Sequence, residues 1–114
     1  VSEEKVKTVE SFYRVTKIIE EHPEYTQRRI AKELGYSVGK VNYVLTALVK
    51  KGMIKFQRFL KSTNKTGYKY MLTPKGVQEK VKLTRQFIKT KFDEYEKIQR
   101  ELEEAKKSLD KSLK

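Results

Sequence analysis

The sequence predicts a mainly α (α+β) fold: three helices, a two-stranded β-ribbon, and then one long C-terminal helix. Three observations predict it. Apolar residues recur at helical spacing over residues 5–21 and again over 38–51. The period changes to two from Ile54 onward. After Pro74 no further proline interrupts a charged, helix-favouring run to the end of the chain. The 114 residues suffice for one modest hydrophobic core, and the equal shares of hydrophobic and charged residues, 37% each, suit a helical and well-solvated molecule.

In the first helix, residues 5–21, Val6, Val9, Phe12, Tyr13, Val15, Ile18 and Ile19 share one side of a 3.6-residue wheel, and Pro23 ends it. Thr26 is placed as an N-cap for a second helix over 27–34, which buries Ile30, Ala31 and Leu34 and stops at Gly35. Ser37 caps a third helix over 38–51. Its Val41, Val44, Leu45 and Leu48 form an i, i+3, i+4, i+7 stripe for the core, and Gly52 closes it. Ile54, Phe56 and Arg58 then alternate with Lys55, Gln57 and Phe59. A second alternating run spans Tyr68 to Leu72, and the seven polar residues 61–67 between the runs read as a basic hairpin loop. Thr73 and Pro74 suit the N-cap and first position of a fourth helix, expected to run from 74 to about 110. The chain thus divides at 1–73 and 74–114.

Residues 27–46 carry the pattern of a helix-turn-helix. Ala31 is small enough for close helix crossing, Gly35 makes the turn four residues later, and Ile30, Leu34, Tyr36, Val41 and Val44 fill the spaced apolar places. With the hairpin behind it, the unit is a winged helix-turn-helix. The runs around Gln27-Arg28-Arg29-Ile30-Ala31 and Ser37-Val38-Gly39-Lys40-Val41-Asn42-Tyr43, the Lys51-Gly52-Met53-Ile54-Lys55 strand start and the Leu72-Thr73-Pro74-Lys75-Gly76 helix start resemble the MarR-type winged-helix regulators. The resemblance is to the short subgroup associated with exopolysaccharide genes, and covers about residues 20–105. Typical full-length members are longer, with extra dimerisation helices at both ends. The resemblance implies a transcriptional regulator of double-stranded DNA, with control of exopolysaccharide biosynthesis genes; it identifies no small-molecule effector.

The charge distribution points the same way. Residues 26–73 hold eleven basic side chains against one acidic, Glu33, out of a whole-chain net charge of +12. Such a concentrated positive field attracts a polyanion. On the third helix, Gly39, Asn42, Tyr43 and Thr46 lie opposite the buried stripe, flanked by Ser37 and Lys40. A recognition helix inserts this end and face into the major groove. Asn42 can pair bidentately with adenine, Lys40 can donate to guanine or to phosphate, and Thr46 can touch a base edge or a thymine methyl. Gly39 permits close approach. Tyr43 either bonds a phosphate or packs on the second helix. Gln27 and Arg28 open the second helix, where free N–H groups favour phosphate; of Arg28 and Arg29, one is expected to pair with Glu33. The hairpin adds Arg58, Lys61, Asn64 and Lys65 for the backbone or minor groove. Tyr68 and Tyr70 read as sheet and core residues, since interleaved exposed aromatics would favour single-stranded RNA. Protein-binding and RNA-binding winged modules are the alternatives.

The fourth helix carries two interleaved heptad positions. One holds Val77, Thr84, Lys91, Ile98, Ala105 and Ser112, the other Val81, Ile88, Tyr95, Leu102 and Leu109. Residues 77–92, with Leu83, Phe87 and Phe92, are expected to lie on the body. Residues 92–110 are expected to pair with a second copy, parallel or antiparallel. The dimerisation set is Ile88, Tyr95, Ile98, Leu102, Ala105 and Leu109.

Other chemistry finds little support. With no cysteine, disulfides and thiolate metal sites are excluded, and the single His22 cannot build a zinc site without unusual carboxylate help. No phosphate-binding loop or paired carboxylates in apolar surroundings suggest catalysis, so neither enzyme activity nor a cofactor is expected. No apolar run approaches the ~20 residues of a membrane span. The acidic, polar start at Val1 is no signal peptide and suggests a trimmed or processed, cytoplasmic protein.

Overall fold

The computed structural model describes the backbone of residues 3–62 and 65–113 and, within these, every side chain except those of 61, 62, 65 and 66. The order is α1 (Glu3–Glu21), α2 (Gln27–Leu34), α3 (Val38–Lys50), β1 (Ile54–Ser62), β2 (Lys65–Leu72) and α4 (Pro74–Leu113). The fold is a winged helix-turn-helix with a long C-terminal helix.

Local chemistry sets most boundaries. The Thr26 hydroxyl accepts from the Arg29 amide at 3.1 Å, and the Ser37 hydroxyl accepts from the Lys40 amide at 3.0 Å. Each satisfies an amide that the first helical turn leaves without a partner. Gly35, with φ +69°, takes the left-handed conformation that ends α2 and turns the chain into α3. Val15, Ile19, Ile30, Val41, Val44, Leu45 and Leu48 are almost wholly buried where α1, α2 and α3 meet. Met53, Ile54 and Tyr70 close this core from the hairpin side. The Tyr70 amide donates to the Pro23 carbonyl at 3.1 Å, so β2 is tied to the turn between α1 and α2.

β1 and β2 pair antiparallel, with Ile54 opposite Leu72, Phe56 opposite Tyr70 and Arg58 opposite Tyr68. The expected seven-residue loop is a misreading of the wing. Both strands continue to Ser62 and Lys65, past an irregularity between Leu60 and Ser62. Two apolar residues, Phe59 and Leu60, follow one another here, and residues 61–67 are polar, so apolar alternation no longer marks the strand. Asn64 lies outside the described residues.

α4 begins on a tight contact. The Thr73 amide donates to the Met53 carbonyl at 3.0 Å, and the Thr73 hydroxyl accepts from the Gly76 amide at 3.0 Å. A Cβ on Gly76 would stand 2.0 Å from the Met53 carbonyl oxygen, so only glycine allows this approach. Further along, α4 runs antiparallel to α1. Lys80 pairs with Glu20, Tyr13 stacks on Phe87 at 4.4 Å, and Lys91 meets Glu10 at 3.6 Å.

Residues 77–92 thus lie on the body as expected, but not through the whole apolar face, and Phe92 takes no part. Leu83 and Phe87 turn toward the body, but Val77, Val81, Ile88 and Phe92 are each about half exposed or more. The α1-facing positions 80, 83 and 87 sit roughly a quarter-turn around the helix from Val77, Val81 and Ile88, and Lys91, itself a heptad position, pairs with Glu10. The large apolar residues of the seam, from Val77 to Leu109, are therefore left exposed along α4. From 91 to 113 every residue is exposed, and the molecule measures 78 × 26 × 21 Å.

Candidate nucleic-acid interface

Burial of one side of α3 dictates what the other side presents. Val41, Val44, Leu45 and Leu48 are no more than 2% exposed, and this fixes the rotation of the helix. Gly39, Lys40, Asn42, Tyr43 and Thr46 consequently face outward, all exposed, and among the described residues no other element covers them. Tyr43 is 69% exposed, which resolves its two readings in favour of the open surface. Ser37 is exposed at the N-terminal end, with its hydroxyl engaged as the cap. The Lys40 ammonium rests 4.0 Å from the centre of the Tyr36 ring. Burial raises the Tyr36 hydroxyl above its ordinary pKa, against a smaller lowering by Arg14, so the ring beneath Lys40 stays neutral.

The start of α2 lies beside this face. Arg29 pairs with Glu33 at 2.9 Å and its guanidinium sits 5.0 Å from the Tyr25 ring. The one acidic side chain of residues 26–73 is thereby neutralised within α2. Arg28 is exposed and, among the described residues, makes no ion pair. Gln27 is half-buried and turned inward: its Oε1 accepts from Asn42 Nδ2 at 3.2 Å, and its Nε2 donates to the Tyr70 hydroxyl at 3.3 Å. Sequence reasoning grouped Gln27 with Arg28 at the helix start; the structure instead brings its side chain between the third helix and the wing.

The wing stands on the far side of Gln27. Gln27, Thr46, Val49, Lys50, Phe56 and Tyr70 border one groove of about 440 Å³ between α3 and the ribbon. Arg58 projects from the same sheet face as Phe56, with its guanidinium 5.6 Å from the Tyr68 ring. Phe56 and Tyr68 stack at 5.2 Å and are 54% and 45% exposed. Tyr70 is a core residue as expected, but Tyr68 is not. This exposed aromatic pair was missed as a surface feature, although the period of two places both rings on one face. Lys61 and Lys65 lie on the strands near the tip, with side chains outside the described set.

The proposed pairing surface is elsewhere. Ile88, Tyr95, Ile98, Leu102, Ala105 and Leu109 are all exposed on α4, far along the helix from α3. Among the described residues no cluster of histidine, aspartate or glutamate could hold a metal ion, and no helix is long and apolar enough to cross a membrane.

Comparison with known proteins agrees with this geometry. Residues 14–55 match the model of the winged helix-turn-helix DNA-binding family. No curated protein matches the chain. Among solved structures, the chain is similar to Staphylococcus aureus MepR in its DNA complex, with 21% identity, TM-score 0.54, and 96% of this chain and 80% of that one covered. It is similar to Streptococcus pneumoniae FabT in complex with DNA, with 24% identity, TM-score 0.50, and 83% and 59% covered. It is also similar to disulfide-formed AbfR, with 27% identity, TM-score 0.50, and 87% and 70% covered. The chain spans less than two thirds of the length of FabT and of Staphylococcus aureus MarR, 59% and 57% respectively.

Proposed function

We propose that this chain is a MarR-type transcriptional regulator that binds double-stranded DNA as a homodimer. One observation carries the reading: the outer face of α3 is uncovered, while the opposite face of the same helix is locked into the centre of the core. Its neighbours in the fold include two proteins solved on DNA, which supports the same reading.

In this reading α3 enters the major groove from its Ser37 end. Asn42 reads adenine, and Lys40 donates to guanine or phosphate. Thr46 meets a base edge or methyl group, and Gly39 lets the helix approach closely. Tyr43 and Arg28 bond phosphate and set the register without reading sequence. The wing, through Arg58, Lys61, Asn64 and Lys65, follows the backbone or enters the minor groove. The helical seam of α4 joins two copies, so that half-sites lie about one helical turn apart, or a multiple of it. Residues 1–73 form the DNA-binding unit and 74–114 the pairing unit. Control of exopolysaccharide biosynthesis genes is proposed on the sequence resemblance alone.

Titration with duplex DNA at two salt concentrations tests the reading. Six or more phosphate contacts predict a fall in affinity by orders of magnitude between ~50 and ~200 mM salt. A flat response would remove DNA binding and favour a protein partner. A second reading has one observation in its favour: the exposed Phe56–Tyr68 stack is the kind of platform that single-stranded RNA uses. Competition between duplex DNA and single-stranded RNA separates the two.

A further inference from the structure

Asn42 is a long way along the chain from the wing, yet the structure connects them by two side-chain hydrogen bonds. Asn42 Nδ2 donates to Gln27 Oε1, and Gln27 Nε2 donates to the Tyr70 hydroxyl. Tyr70 is 9% exposed, its amide is bonded to Pro23, and its ring packs at 5.1 Å on Phe56. The relay therefore ends on a fixed point of the core. Gln27 spans from that point to an exposed helix face.

We infer that Gln27 is a positioning residue, anchored by Tyr70, that holds the Asn42 amide in the orientation needed to read a base. This rests on the reading of α3 as the base-contacting helix. The chemistry is specific about what remains available. An amide pairs with adenine through one acceptor and one N–H donor. Gln27 occupies one N–H of Asn42, and among the described residues nothing takes its Oδ1 or second N–H. An asparagine on an open helix face otherwise samples several rotamers and both amide orientations, and ordering it on DNA costs free energy. Locking its supporting partner in advance removes part of that cost. The same relay links the wing to the recognition helix.

Selection of bound fragments from a random duplex library tests this, using wild type, Asn42→Ala, Gln27→Ala, Gln27→Glu and Tyr70→Phe. Asn42→Ala identifies the base position that Asn42 reads. Tyr70→Phe and Gln27→Ala should each flatten the preference at that same position, by about threefold to tenfold. Tyr70→Phe should leave affinity for random-sequence duplex and the salt slope unchanged. Gln27→Glu should keep the preference, because its carboxylate accepts from both Asn42 and the Tyr70 hydroxyl, while its charge weakens binding to every sequence. A double variant, Gln27→Ala with Asn42→Ala, should be no flatter than Asn42→Ala alone. If Asn42→Ala flattens one position and neither Tyr70→Phe nor Gln27→Ala touches it, the relay is overturned and base reading by Asn42 stands. If Asn42→Ala changes no position although duplex is bound, the base-reading role itself fails, and the relay with it. Gln27 lies at the rim of the fold, so its variants decide the matter even should Tyr70→Phe impair folding.

Discussion

Asn42 and Arg28 occupy the same surface, but they act on a duplex by different physics. An amide at a base edge discriminates; a guanidinium at a phosphate attracts. Asn42→Ala is expected to lower discrimination at one base pair by about 1–3 kcal/mol, measured as the affinity difference between the selected duplex and its single-base variants. Arg28→Ala should weaken binding to all duplexes alike and reduce the slope of log affinity against log salt by about one. Identical behaviour of the two variants would show the roles to be wrongly divided. A different residue decides a different quantity. Thr16 is fully buried in α1, and among the described residues its hydroxyl has no hydrogen-bond partner. Thr16→Val keeps the shape and removes an unsatisfied polar group, so stability should rise by about 1 kcal/mol, read from the urea midpoint. A loss of stability would mean that the hydroxyl has a partner, such as a buried water.

At the scale of elements, the start of α4 holds the C-terminal half to the body. Alanine normally stabilises a helix relative to glycine by about 1 kcal/mol. At position 76 the sign should reverse, because the added Cβ meets the Met53 backbone, which cannot give way as a flexible side chain would. Gly76→Ala should cost about 1–3 kcal/mol in denaturant unfolding, and a gain would show that α4 does not seat on Met53 as described. Elements of this kind were legible in the sequence wherever a local signal sufficed. Thr26, Gly35, Ser37, Thr73 and Pro74 mark helix ends through their own hydrogen bonds or backbone preference, and the α3 stripe displays its buried side. The wing was less legible, because the polar residues 61–67 carry no alternation to read and look like a loop. The relay from Asn42 to Tyr70 was not legible at all. Its two bonds span 15 and 43 residues, and nothing in the composition of Gln27 says which way its amide turns. The same holds for α4: its heptads were visible, but whether α1 would cover them depends on the rotation at which the two helices dock.

At the scale of the whole molecule, that rotation leaves a problem that a second chain solves. The apolar seam runs from Val77 through Val81, Ile88, Tyr95, Ile98, Leu102 and Leu109, exposed throughout, on a helix of 40 residues that outreaches the body. From Tyr95 to Leu113 every residue of α4 is exposed, yet an isolated helix of about twenty residues, roughly half of them charged, is marginal in water. A heptad seam buried against its own copy would supply the missing stabilisation. It would also place two recognition helices on one duplex. Leu102 is 47% exposed at the middle of the free segment, where a charge could not be buried in a seam. Leu102→Asp should therefore give the mass of a monomer by sedimentation equilibrium, with reduced helicity by circular dichroism. Lys107→Asp, on the opposite side of the helix, should keep the dimer mass. DNA binding by Leu102→Asp should weaken strongly on a two-half-site duplex and little on a single half-site, since each domain keeps its own contacts but loses the second copy's. If Leu102→Asp leaves the mass unchanged, the seam is not where the copies meet, and the spacing of half-sites must be set by another surface.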